Sequence, residues 1–259
     1  MKLAIVIPFY NESSNVASVL DEWIGISAKY GGAIVAVNDG SKDDTLQQLK
    51  KLSAKFPQVH VVDKPNGGHG SAVLAGYRYA AKNESEFIFQ VDGDGEVSAE
   101  GFEALWNQRE KSDLVVGVRH FVRASLVRTV LTKLVVLLNL TLFRTHVRDS
   151  NCPFRLFRGN VLDTILEFLP DKMLVPNIHL TILFKSLGMR VNQVELQRSW
   201  LRPGSRTLTP LRLVRICIQS AAETWKLRKI LRTNRSAMIE SLERRSQERE
   251  SHWKQSISL

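Results

Sequence analysis

Cysteine is nearly missing from this 259-residue chain: Cys152 and Cys217 are its only two. That excludes a disulfide framework and a thiolate zinc cluster, and it suits a reducing, cytosolic setting. Proline is scarce, at 8 residues, so extended proline-rich architecture is excluded as well. Long apolar runs are absent. The longest charge-free apolar runs, 134–143 and 173–184, fall short of the roughly 20 residues that a membrane-spanning helix needs. The segment before Pro8 holds no hydrophobic stretch of signal-peptide length, so no targeting segment is expected. Acidic residues are sparse in the second part only. Residues 1–117 carry a net charge of −5, and residues 118–259 carry +15. An anionic neighbour is therefore expected for the second part. Aromatic platforms interleaved with those basic residues are lacking, which argues against nucleic acid.

What is present is alternation. Apolar runs at 3–7, 33–37, 59–62, 87–91 and 114–118 read as buried strands, separated by helical stretches at 15–30, 43–56, 69–82 and 99–111. This pattern predicts an α/β fold with a mostly parallel, doubly wound sheet flanked by helices. Ligands of such sheets bind beyond the carboxyl ends of the strands. Polar, acidic or glycine-rich groups follow every strand: Pro8-Phe9-Tyr10-Asn11-Glu12, Asn38-Asp39-Gly40-Ser41, Lys64-Pro65-Asn66-Gly67-Gly68-His69-Gly70, Asp92-Gly93-Asp94-Gly95-Glu96, and Arg119. They are expected to share one rim. Past Arg119 the reading is a long helix at 123–143, a strand at 154–157, helices at 160–168 and 176–187, a strand at 191–196, a helix at 209–232 and a charged terminal helix at 236–255.

Asp92, Asp94 and Glu96 alternate at a strand end, where residues two apart share a side. Three carboxylates so placed suit a hard divalent cation, Mg2+ or Mn2+, although Asp92 could instead face sugar hydroxyls. The loop through Gly68 opens a helix whose unsatisfied N–H groups favour an anion. Asp39 either caps the next helix or accepts a hydrogen bond from a nucleobase or ribose.

These segments, in this order and spacing, resemble the nucleotide-sugar half of family-2 glycosyltransferases with the glycosyltransferase A fold. The resemblance implies that Pro8, Tyr10, Glu12 and Asp39 contact the base and ribose of a UDP- or GDP-sugar, and that Asp92 and Asp94, with Glu96, hold a metal on its diphosphate. Residues 148–158, Arg-Asp-Ser-Asn-Cys-Pro-Phe-Arg-Leu-Phe-Arg, resemble the acceptor segment of dolichol- and polyprenol-phosphate sugar synthases, with Pro153 in place of the usual glycine. Arg202-Pro203-Gly204-Ser205-Arg206 resembles a later element of the same enzymes. Arg119, Asp149, Arg155, Arg202, Ser205 and Arg206 are accordingly expected around an acceptor phosphate, which guanidinium groups fit well. Asp94, Arg119 and Arg155 are expected to carry catalysis.

Family members acting on hydroxyl acceptors share a late acidic base. The matching stretch, 174–180, contains no carboxylate. A phosphate acceptor needs none, being mostly ionised at neutral pH; His179 reads as a packed residue. The expected reaction is an inverting, metal-dependent transfer to a polyprenyl phosphate. Two other readings are a saccharide-hydroxyl acceptor in envelope polysaccharide synthesis and a catalytically silent nucleotide-sugar scaffold. The expected organisation is a nucleotide-sugar half (1–118), an acceptor half (119–207) and a basic amphipathic helix with a charged tail (208–259). In that last helix Leu211, Val214, Ile218, Ala221 and Trp225 form an apolar stripe beside basic residues, which suits an anionic membrane surface. A peripheral position on the inner face of the membrane follows, and the tail is read as solvated or as forming a homo-oligomer.

Overall fold

The computed structural model describes residues 1–119, 143, 148–201 and 210–257. Seven strands form one sheet: β1 (Leu3–Phe9), β2 (Gly32–Asp39), β3 (Val59–Lys64), β4 (Phe87–Gln90), β5 (Leu114–Val118), β6 (Arg155–Arg158) and β7 (Val191–Glu195), in the order β3-β2-β1-β4-β6-β5-β7. Helices α1 (Val16–Lys29), α2 (Thr45–Lys55), α3 (His69–Lys82), α4 (Phe102–Trp106), α5 (Gly159–Leu166), α6 (Pro176–Ser186) and α7 (Pro210–Ile257) flank it. Every residue of β1 is buried. Successive strand residues point to opposite faces, so both faces of the sheet must be covered there.

The strands expected from apolar runs all form, and the doubly wound reading holds. β6 departs from parallel: it runs antiparallel between β4 and β5, with Arg155 paired to both Gln90 and Val116. Its entry therefore lies at the carboxyl ends of its neighbours, and residues 149–154 emerge on the same rim as Asp92 and Arg119. The helix expected over 99–111 breaks into two 3₁₀ turns around α4. Arg109 stacks on the Trp106 ring at 4.5 Å and donates to the Trp106 carbonyl oxygen, satisfying one carbonyl where α4 ends.

The two C-terminal helices expected from the sequence are one, α7, because neither glycine nor proline occurs between Leu211 and Ile257 to end it. Leu227, Leu231, Met238 and Leu242 are buried along one side of α7. Arg245 pairs with Asp163 of α5 and with Glu167 just after it. As far as Arg245 this helix thus docks on its own domain, which corrects the expected tail over that part of its length. The helix expected at 123–143 lies outside the described residues apart from Phe143.

His179 in α6 is fully buried, as expected of a packed residue, and burial lowers its pKa from 6.5 to about 4. A group neutral when folded but chargeable when unfolded contributes stability above its unfolded pKa, and that contribution is lost as pH falls towards the folded one. Acidification from pH 7 to 4 should therefore remove on the order of 3 kcal/mol through this residue. Urea midpoints measured across that range should fall less steeply for His179→Gln. An unchanged slope would assign the acid sensitivity elsewhere.

Candidate functional site

The ends of β1, β2 and β4 are laced together before any ligand is considered. Asn11, in a left-handed conformation with φ 53°, donates its N–H to Ser41 Oγ at 3.1 Å and accepts the Lys42 N–H on Oδ1 at 2.8 Å. The Glu12 N–H donates to Thr45 Oγ1 at 2.9 Å, and the Glu12 carboxylate accepts from Asn15 Nδ2 at 2.6 Å. Beside them runs the acidic loop. A Cβ at Gly93 would lie 2.7 Å from the Pro8 carbonyl oxygen and 2.6 Å from the Phe9 ring, so only glycine lets this loop lie against the end of β1. Pro8 is buried in that junction, whereas Tyr10 stands out on the rim, 38% exposed.

Asp94 is half-buried, and its Oδ1 accepts the Glu96 N–H at 3.0 Å. Burial, reinforced by the charges of Asp92, Glu96 and Glu12, raises its pKa to about 6. Four carboxylates therefore act on one point, which makes it a natural place for positive charge. They are not a finished cage. Among the described residues no group of three or more acidic, histidine or cysteine side chains is gathered to hold a metal ion. The convergence expected of Asp92, Asp94 and Glu96 is thus only partial. Asp92 Oδ1 faces His69 Nε2 at 3.6 Å and Gln90 Nε2 at 3.5 Å. The oxygen donors fit a hard divalent cation that takes its remaining ligands from phosphate and water.

The glycine loop behaves differently from the sequence expectation. Asp39 is 2% exposed, and its carboxylate accepts the Gly67 N–H at 2.9 Å, the Gly68 N–H at 2.8 Å and the Lys64 ammonium at 2.5 Å. A protein carboxylate already fills the place where these amides would meet an external anion. Asp39 and Gly68 thus satisfy one another and shape the loop. Lys64 was expected on the rim only as part of the segment after the third apolar run, with no role of its own; the signal for its pairing was a cation closing a strand whose neighbour ends in an aspartate. Gln90 was also missed. It is fully buried and accepts from the Tyr77 hydroxyl, and a glutamine inside the apolar run of β4 was the available clue.

Across the rim, Arg119 donates to Asp149 from Nε at 2.9 Å and from Nη2 at 3.2 Å, a bidentate pair that is mostly buried. The charge of Asp92 is within electrostatic reach of this guanidinium. Arg119 and Asp149 are thus brought together beside the acidic loop. Arg155 is not. It is fully buried, and its guanidinium donates to the carbonyl oxygens of Cys152, Asn177 and Ser150 at 2.5–2.9 Å and to Thr181 Oγ1 at 3.2 Å. The expectation that Arg155 meets an acceptor phosphate is corrected: its donors are taken up in tying the loop before β6 to α6. Arg202, Ser205 and Arg206 lie outside the described residues.

A family model described as "Glycosyl transferase family 2" matches residues 4–166. A dolichyl-phosphate beta-glucosyltransferase of Trichomonas vaginalis is 29% identical over 257 residues, covering 86% of this chain and 73% of the relative. An undecaprenyl-phosphate 4-deoxy-4-formamido-L-arabinose transferase of Pseudomonas fluorescens is 26% identical, and the match covers 83% of this chain and 62% of that one. Among solved structures, glucosyl-3-phosphoglycerate synthase of Mycobacterium tuberculosis, crystallised with Mn2+, UDP-glucose and phosphoglyceric acid, superposes with a TM-score of 0.66 at 21% identity. That alignment covers 88% of this chain and 80% of the other. That likeness is one of fold.

Removing the Arg155 guanidinium would strip the buried Cys152 carbonyl of its side-chain donor and leave the Asn177 and Ser150 carbonyls with Thr181 Oγ1 alone among side chains. Arg155→Met should lower unfolding free energy by about 3 kcal/mol or more. Urea denaturation measures this, and a variant as stable as wild type would return Arg155 to the ligand side.

Proposed function

The chain belongs to glycosyl transferase family 2, and from that premise we propose that it transfers a sugar from a UDP- or GDP-sugar to a polyprenyl phosphate at a membrane surface. The observation that carries this reading is the Arg119–Asp149 pair standing beside the acidic Asp94 loop, with the Asp92 charge in reach of the Arg119 guanidinium. The donor's base and ribose lie against Tyr10 and Glu12, above the buried Pro8, and its diphosphate lies over the acidic loop. Asp94 with Asp92, and Glu96 beside them, would hold a divalent cation, Mg2+ or Mn2+, which when bound stabilises negative charge on the departing diphosphate.

Arg119, oriented by Asp149, offers positive charge to the acceptor phosphate and converts a random encounter into an aligned one. An acceptor phosphate oxygen attacks the anomeric carbon as the bond to the nucleoside diphosphate breaks, and configuration inverts. No side chain has to remove a proton, since a phosphate monoester is mostly ionised at neutral pH. This agrees with the 174–180 segment, where His179 is buried against Thr224 with Nε2 3.1 Å from its hydroxyl, and so is withdrawn from the rim.

No helix among the described residues is long and apolar enough to cross a membrane. α7 supplies another means of contact. Ile218 and Trp225, seven residues apart and so on one face, are 67% and 66% exposed. Lys226, Lys229 and Arg232 are exposed nearby. An exposed tryptophan among cations suits the boundary of an anionic bilayer, here placed on the cytoplasmic side.

Incubation with radiolabelled UDP- and GDP-sugars, polyprenyl phosphate and Mn2+ should yield organic-extractable label with one donor. Label appearing only in a saccharide product would replace the lipid acceptor with a hydroxyl. Asp94→Asn should reduce turnover at least about 100-fold with circular dichroism unchanged, the range seen when a key transition-state charge contact is lost; undiminished turnover would remove the acidic loop from the chemistry. In vesicle sedimentation, the Ile218→Ser/Trp225→Ser double variant should bind anionic vesicles several-fold more weakly, and added salt should weaken wild-type binding. Equal partitioning of the two proteins would exclude this face.

A further inference from the structure

Glu223 stands two residues before the exposed Trp225 in α7, yet its carboxylate reaches another element. The Leu174 N–H donates to both of its oxygens, at 2.9 and 3.0 Å. Leu174 belongs to the short turn ahead of α6, and the opposite side of that turn rests directly on α3. A Cβ placed on Gly70, the second residue of α3, would lie 2.0 Å from the Met173 carbonyl oxygen and 2.9 Å from that of Leu174. Main chain thus meets main chain with no side chain between them. Close-packed contacts of this kind transmit displacement and do not absorb it. His69, at the start of the same helical turn, faces Asp92 at 3.6 Å. One continuous path runs from α7 through the 173–174 main chain to the rim.

A second contact marks the same junction. The Thr224 hydroxyl donates to the Ser220 carbonyl oxygen at 2.7 Å, so His179 Nε2 must donate to Thr224 at 3.1 Å. That tautomer leaves the buried His179 Nδ1 as an acceptor without a hydrogen-bond partner, 3.8 Å from Glu223 Oε2. Two acceptors face each other there. The carboxylate at 223 is therefore a poor choice for packing alone, while it serves well as a clamp on the Leu174 N–H.

We propose that Glu223 is a positioning residue of the donor site: from α7 it fixes the 173–174 main chain, and through Gly70 it fixes the first turn of α3 at the rim where the donor's diphosphate binds. Contacts made by the exposed face of α7 are thereby felt at that rim. The proposal rests on the preceding functional reading for the identity of the ligand, but the mechanical tie does not depend on it.

Hydrogen–deuterium exchange and titration with UDP and GDP, on the full chain, test the tie and the ligand separately. Glu223→Ala should speed amide exchange at 69–72 about tenfold and weaken the nucleotide that wild type binds by a similar factor. Glu223→Gln should restore both, because its amide oxygen still accepts from Leu174 while its NH2 can donate to His179 Nδ1. If the alanine variant does not fold, Glu223→Leu, which keeps the apolar stem without the acceptor, takes its place. Faster exchange confined to 173–175, with exchange at 69–72 and nucleotide affinity unchanged, overturns the proposal. If wild type binds neither nucleotide, the donor reading fails on its own, and exchange at 69–72 still decides the tie.

Discussion

Crowding of like charge at one end of a buried sheet is the constraint around which this molecule is arranged. Glu12, Asp92 and Glu96 all act on Asp94, which is half-buried at the carboxyl end of β4, and the crowding with burial raises its pKa to about 6. Such a group is costly in the resting protein and is relieved by any ligand bringing positive charge. The acids can be placed there because the surrounding backbone is held independently. Gly93 lets the loop lie on Pro8 and Phe9, and the β1 and β2 loops are joined through Asn11, Ser41 and Thr45.

The same economy governs the neighbouring loop. Asp39 supplies an internal anion to the Gly67 and Gly68 amides and is itself neutralised by Lys64. A glycine-rich turn ahead of a helix is commonly read as an anion cradle. Here the protein fills part of that cradle itself, so two of the loop's amides are satisfied without a ligand. Arg119 and Arg155 show a parallel division of labour. Both are basic residues close to the rim, but one pairs with a carboxylate beside the acidic loop and the other is buried against main-chain carbonyls. Position relative to the antiparallel strand β6 separates them, since Arg155 lies inside its ladder.

The strands and the order of their terminal motifs were legible because each depends on local patterning. An apolar run buried on both faces announces itself, and the polar residues after it must then emerge at the sheet's end. The broken α4 region was not legible, because the Arg109–Trp106 stack that stabilises the break comes from side-chain geometry. The C-terminal helix was misread for another reason. It carries two apolar stripes, Leu227, Leu231, Met238 and Leu242 on one side and Ile218 with Trp225 on another. Periodicity alone does not say which of the two meets protein.

What the amino-acid order determined by itself is the α/β alternation, the acidic loop after β4, the arginine after β5 and the charge asymmetry between the two parts of the chain. These are properties of neighbours in sequence, set by backbone periodicity and side-chain chemistry. Only the tertiary structure decided that β6 runs antiparallel, that Arg155 is internal, that Asp39 fills its own loop, and that α7 reaches the first turn of α3 through Glu223, Leu174 and Gly70. Each of those depends on residues distant in the chain meeting at van der Waals or hydrogen-bond distance, which no local pattern encodes.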